Sequence, residues 1–192
     1  MTPPNQEDRN ELINRTAQFR MELSAVGERP SRAALEKLID RARELGLGES
    51  DVSDELSQID AALEAIDLRS RIERGELPVA METAASSGEP CRFHAPVRFG
   101  RRRADQFGHL LMTDSWLRFR GAVDVSIVWS EVDLVRREGH EIVVGLRESR
   151  RMLRFWCQSY SEAAVGEVIA QSMMRAARAD DEPASGDLHA TV

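Results

Sequence analysis

The chain has 192 residues, 42% hydrophobic and 31% charged, with a formal net charge of −7, which suits a soluble globular protein of one large or two small domains. No apolar run approaches the roughly 20 residues needed to cross a bilayer, and the opening MTPPNQEDRN lacks the apolar stretch of a secretory leader, so a cytoplasmic location is expected. The negative balance also argues against general nucleic-acid binding.

The first third reads as helices. From Gln6 to about Val26, Leu12, Phe19, Leu23 and Val26 recur at helical spacing. Ser31 after Pro30 is an N-cap signal. The stripe Leu35, Leu38, Ile39, Ala42 and Leu45 then ends at Gly46-Leu47, a C-terminal cap pattern. A third helix is expected from about Asp51 to Glu73, with Val52, Leu56, Ile59, Leu63 and Ile66 alternating steps of four and three. This heptad pattern covers about two repeats, short of the three to four that mark a coiled coil. A compact bundle over residues 1–78 is therefore favoured over a dimerising coil, although pairing of two copies through these helices stays open. Residues 79–90, small and polar with Gly88 and Pro90, read as a linker.

From Cys91 the period changes from helical to two. Seven runs follow: CRFHAPVRF, FGHLLMT, SWLRFR, VDVSIVW, EVDLVRR, HEIVVGL and RMLRFWC. The alternation assigns one apolar face to Leu110, Met112, Leu117, Phe119, Val123, Val125, Ile127, Trp129, Val132, Leu134, Ile142, Val144, Leu146, Leu153 and Phe155. Intervening residues such as Arg118 and Arg120 imply that the opposite face is solvated. Thr113-Asp114 and Glu138-Gly139 are turn signals. Ser159-Tyr160-Ser161-Glu162 is a capping-box pattern opening a last helix, whose face is Val165, Val168, Ile169, Ser172 or Met173, and Ala176. Residues 179–192 are polar and acidic, and a disordered tail is expected there.

The segments SGEP (87–90), GHLLMTDSWLRFRG (108–121), VSIVWSEVDLV (125–135) and RFWCQSYSEAAVGEVI (154–169) resemble the pleckstrin-homology-like superfamily, in particular bacterial PH-like and GRAM-type domains. The resemblance covers about half the chain. It implies an α+β protein: an N-terminal helical region, then over residues 91–178 a PH-like seven-stranded antiparallel β-barrel capped by a C-terminal helix. It also implies a binding module, since such domains bind phospholipid headgroups, peptides or protein surfaces.

Charge is uneven: acidic residues dominate up to residue 90, basic ones from 91 to 178. Arg98, Arg101, Arg102 and Arg103 surround the expected first interstrand loop, with Arg118 and Arg120 on a nearby strand. Guanidinium groups suit phosphate because they donate paired, coplanar hydrogen bonds, and the resemblance places headgroup-binding basic residues in that loop. Basic residues near an anionic membrane contribute about 1 kcal/mol each. Four would give about 4 kcal/mol, a millimolar attachment. Trp116 and Trp156 fall on the solvated face and are candidate partner-binding anchors.

Chemistry is not indicated. The four histidines are scattered, and no nucleophile-elbow, zinc-protease or phosphate-loop motif occurs. Cys91 and His94 lack the second ligand pair of a zinc site. Cys157 continues the Leu153, Phe155 alternation and reads as a small buried hydrophobe. The expected function is a non-enzymatic cytoplasmic module, without cofactor or metal, that binds a protein partner. The alternative is a peripheral membrane protein reading anionic lipid headgroups through the basic loop.

Overall fold

A computed structural model describes residues 6–27, 30–80, 88–100 and 106–181. The chain divides into two compact units at Asp67/Leu68, inside the third helix. Arg101, Arg102 and Arg103, and residues 182–192, for which a disordered tail was expected, lie outside the described residues.

The first unit holds α1 (Gln6–Ala25), α2 (Arg32–Glu44) and the first part of α3 (Ser53–Glu73). Phe19, Leu35, Leu38, Ala42, Leu47, Val52 and Ile59 form its core, with Leu12, Leu23, Val26, Leu56, Leu63 and Ile66 packed around it. The caps act as expected. Ser31 accepts a hydrogen bond from the Ala34 N–H through its side chain. Gly46 adopts φ +63°, which lets the Leu47 N–H return to the Ala42 carbonyl, and this closes the helix end. Before α3 a short 3-10 turn, Glu49–Asp51, intervenes, so the helix begins at Ser53 rather than Asp51. Arg20 reaches across to Glu55 at 2.5 Å, and Arg15 donates to the Leu45 carbonyl.

The second unit contains β1 (Phe93–Phe99), β2 (Gln106–Met112), β3 (Trp116–Gly121), β4 (Asp124–Val128), β5 (Val132–Glu138), β6 (Glu141–Leu146), β7 (Met152–Trp156) and α4 (Tyr160–Asp181). The strands make one antiparallel sheet in the order β4-β3-β2-β1-β7-β6-β5. Its inner face buries Phe93, Ala95, Val97, Leu110, Met112, Leu117, Phe119, Ile127, Ile142, Val144 and Phe155. Phe99, Phe119 and Phe155 stack at one end of this core, with centroids 4.9–6.3 Å apart. Glycines permit two close approaches. A Cβ on Gly108 would stand 2.1 Å from the Arg120 carbonyl oxygen and 2.7 Å from the Phe119 ring. One on Gly166 of α4 would meet Ile142 and Phe93, which shows how tightly the helix seats against the core of the sheet.

The alternation fails in several places, including Val143, which is buried between Ile142 and Val144. A bulge between Val132 and Leu134 slips β5 by one residue, so Val135 is buried while Leu134 is only half-buried; an inserted residue exchanges the faces beyond it. Val123 precedes β4 and is exposed, and Trp129 has left the strand for a 3-10 turn yet is buried, its indole donating to the Thr113 carbonyl. The outer face is not uniformly solvated, since Leu111 and Trp116 cluster there with Cys91. On α4 the buried residues are Ala163, Ala164, Gly166, Val168, Ile169, Ala170 and Met173, whereas Val165 is half-exposed and Ala176 exposed.

The capping box also departs from its pattern. The Glu162 N–H donates to Ser159 Oγ at 3.1 Å, but the Glu162 carboxylate accepts from the N–H of Gln158 rather than Ser159. Across α4, three side chains bond the edge of β5: Glu167 accepts from the Arg137 N–H, Gln171 donates to the Val135 carbonyl and Arg178 donates to the Asp133 carbonyl. No helix among the described residues is long and apolar enough to cross a membrane.

Candidate functional site

The β1–β7 ladder comprises only two pairs, Arg98↔Trp156 and Phe99↔Phe155. Beyond them the strands diverge. Pro96, one alternation back on β1, has no N–H to give a neighbouring strand, and proline in sheets is confined to positions where no ladder donor is needed. Past Trp156 the chain turns away, the Cys157 N–H bonding the His140 carbonyl of the β5–β6 turn. The divergence opens a cleft of about 880 Å³ on the outer side of the barrel.

Registers place its lining in two rows. The first runs across four strands as Phe107, Arg98, Trp156 and Glu141, with Glu138 opposite Glu141. The second is Arg120, His109 and Pro96. The Arg98 guanidinium lies 4.2 Å from the Trp156 ring centroid, a cation–π stack that holds both side chains in place. Phe107 is 81% exposed, an unusual state for a phenylalanine in regular structure. The Trp156 indole N–H is buried and has no hydrogen-bond partner among the described residues.

On the opposite wall, Glu138 and Glu141 face each other across the hairpin, and Arg154 Nη1 bonds both, at 2.6 and 2.8 Å. Hydrogen bonding from Arg154 holds the Glu138 carboxyl below its ordinary range. His140 packs on Tyr160 at the first turn of α4, with centroids 3.7 Å apart. Cys157 lies at the rim, and burial pushes its thiol up to about 12. It is protonated at neutral pH and poorly suited to nucleophilic work.

The cleft thus brings together Arg98, Arg120 and Trp156 of the residues singled out from sequence. On the outer face of β3, Arg118 lies one alternation and Trp116 two alternations from Arg120, and neither lines the cleft. Trp116 is buried against Leu111 and Cys91, with the Arg118 guanidinium 4.5 Å from its ring centroid. Arg101, Arg102 and Arg103 lie outside the described residues. Sequence reasoning missed Phe107, His109, Pro96, Glu138, His140 and Glu141. One signal was available: Phe107 alternates with Leu110 and Met112 and so falls on the polar face, an apolar residue where none was needed.

No protein-family model matches the chain, and no curated protein matches it. Among solved structures it is similar to the inner membrane complex sub-compartment protein 3 of Toxoplasma gondii, with TM-score 0.40, 9% identity and coverage of 44% of this chain and 77% of that one. It is similar to the N-terminal PH domain of human ARAP2, with TM-score 0.39, 11% identity and coverage of 52% and 88%. The DH/PH fragment of PDZRHOGEF in complex with human RhoA gives TM-score 0.41 and 11% identity, with coverage of 88% of this chain and 54% of that chain; this protein spans about half of that structure. The second unit itself, seven antiparallel strands in one sheet about one core followed by a helix seated on that core, has the architecture that the sequence's resemblance to pleckstrin-homology-like domains implied.

Proposed function

We propose that the chain is a recognition module that binds a protein partner through the cleft between β1 and β7, without catalysing a reaction on it. A binding role, for protein or lipid, is the general use of the fold. The observation that favours protein is the composition of the cleft: an exposed phenylalanine and a stacked Arg–Trp pair beside paired carboxylates. Aromatic and arginine side chains are those enriched at the centres of protein interfaces. A site for phosphorylated headgroups gathers cations and excludes carboxylates, whereas this lining sets Glu138 and Glu141 within the same walls as Arg98 and Arg120.

Photo-crosslinking tests the reading. A crosslinking amino acid replaces Phe107 in the full chain, expressed in the native host, with a second copy carrying it at the exposed Met21 of α1 as the control. A protein adduct specific to position 107 supports the reading. Absence of that adduct, together with pelleting of the wild-type chain on vesicles of phosphatidylcholine and phosphatidylserine that Arg98→Glu abolishes, replaces it with the lipid alternative.

A further inference from the structure

α1 carries seven charged residues, and none falls on the side turned away from its core. At about 100° per residue, Gln6, Asn10, Ile13, Ala17, Met21 and Ser24 lie within about 40° of one line along the helix. Leu12, Phe19 and Leu23, which pack in the core of the helical unit, project from the opposite side. All six residues of the line are exposed. Ile13 and Met21, at 63% and 75%, are among the most exposed large apolar side chains of the described residues. The nearest charge beside the line is Arg20, whose guanidinium is engaged by Glu55. A solvated helix face ordinarily carries charge, and this one carries none over about five turns.

The order of residues along the line selects its occupant. Outward from Ala17, a large apolar side chain stands four residues away in each direction, Ile13 and Met21. A small neutral polar one stands seven away in each, Asn10 and Ser24. In chemical character the line reads the same from either end. A two-fold interface requires that residue i of one copy meets residue j of the other while j meets i. Antiparallel pairing of two α1 helices about Ala17 satisfies this: Ile13 meets the second copy's Met21, Asn10 its Ser24, and Ala17 its Ala17. The small side chain at the centre lets the axes approach to the short end of the roughly 8–10 Å range of helix packing. The same arrangement carries the acidic first turn, Glu7 and Asp8, to the far end of the other helix and opposes the two macrodipoles. Parallel pairing would set like beside like. A partner of unrelated sequence has no need of such symmetry.

We propose that this face of α1 is a self-association surface, on which two copies of the chain pair through antiparallel α1 helices centred on Ala17. Six side chains cover well under the roughly 800 Å² per partner of a standard interface, so the pairing is weak and depends on concentration. It is independent of what the cleft binds.

Sedimentation velocity of the full chain over a range of concentrations tests for association, and cysteine cross-linking tests the register. The wild-type mass should rise toward that of two chains with concentration. Ile13→Glu and Met21→Glu should each raise the dissociation constant at least about tenfold, because they bury a charge in the seam. Lys37→Ala, on the exposed side of α2, should leave it unchanged. Cys91 and Cys157 are buried, so the wild type supplies the background rate of disulfide formation. Ala17→Cys should cross-link rapidly under mild oxidation. Ile13→Cys alone should not, since an axial offset of eight residues, about 12 Å, exceeds the reach of a disulfide. A mixture of Ile13→Cys and Met21→Cys should cross-link. Circular dichroism confirms that each variant keeps its helices. A mass of one chain at every concentration, or faster cross-linking of Ile13→Cys alone than of the mixture, overturns the inference. So does a photo-adduct at Met21 with a different protein in place of a second copy.

Discussion

Glu167 on α4 accepts a hydrogen bond from the backbone N–H of Arg137 at 3.1 Å, on the outermost strand of the sheet. Gln171 and Arg178 continue the arrangement at the Val135 and Asp133 carbonyls, at 3.1 and 2.8 Å. Alternate residues of β5 thus find side-chain partners from one helix where a further strand would otherwise pair, and an occupied edge is protected against pairing with another chain. Glu167 is held in turn by Gln171 at 3.1 Å and by Arg69 at 3.8 Å. Glu167→Ala should destabilise the fold by about 1–3 kcal/mol, because it orphans a part-buried backbone donor. Gln171→Ala, which leaves a carbonyl better able to find water, should cost about 1 kcal/mol. Urea denaturation at neutral pH measures both. Size-exclusion chromatography with light scattering should show the triple variant Glu167→Ala, Gln171→Ala, Arg178→Ala associating at concentrations where the wild type does not.

Gly108→Ala should be among the most damaging single-atom changes in the second unit. Its Cβ would sit 2.1 Å from the Arg120 carbonyl oxygen, a backbone atom of the paired strand, and 2.7 Å from the Phe119 ring, which is buried and stacked on Phe99. Neither neighbour can move without separating β2 from β3. A cost of at least about 1–3 kcal/mol is expected, read as a lower denaturation midpoint. Gly145→Ala is the control: its Cβ would meet Leu134 Cβ and Met152 Sδ, each at 3.2 Å, and the thioether can yield. It should cost about 1 kcal/mol or less.

The helices and strands were legible because one apolar period governed each. Ser31, Gly46 and Ser159 marked their ends through local hydrogen bonds that depend on a few neighbouring residues. The failures occur where partners distant in sequence decide. The bulge at Asp133 changes which of Leu134 and Val135 faces inward, and nothing in EVDLVRR distinguishes the two. Trp116 is buried on the supposedly solvated face by Leu111 and Cys91, residues of other segments. The cleft was least visible of all. It arises where β7 leaves β1 after two pairs, a property of the assembled sheet that no single strand encodes, and only Phe107 on a polar face hinted at it.

His94 and His109 stack with ring centroids 4.9 Å apart on the outer face of β1 and β2. Burial, and secondarily the charge of His109, lower the His94 pKa from its ordinary 6.5. The unfolded chain therefore binds a proton at His94 that the folded protein resists. Stability is present in full above pH 6.5 and is lost as pH falls from there through the depressed folded value. Chemical denaturation between pH 7 and 5 should show a declining midpoint in the wild type. The decline should be smaller in His94→Gln, which cannot take up a proton. Equal declines in the two proteins would mean that the pair carries no linkage.

Arg154 is the residue on which the carboxylate wall of the cleft depends. It bonds Glu138 and Glu141 together, and these stand directly opposite each other across the β5–β6 hairpin, where like charges repel. In Arg154→Gln the repulsion is uncompensated, and the Glu138 carboxyl should rise from its lowered value toward the ordinary carboxylate range, with Arg136 retaining part of the depression. The sign follows from linkage. A depressed carboxyl gives stability that is present above its unfolded pKa, near 4.5, and lost as pH falls through the folded value. The wild type should thus lose this contribution on acidification below that point, a window distinct from that of His94, and the variant should lose less of it. Because these side chains are partly solvated, the change at neutral pH should stay within about 1 kcal/mol. Carboxyl carbon chemical shifts followed by NMR from pH 7 to 2.5 would read the Glu138 titration in both proteins, and an unchanged midpoint would remove Arg154 from its role as the bridge.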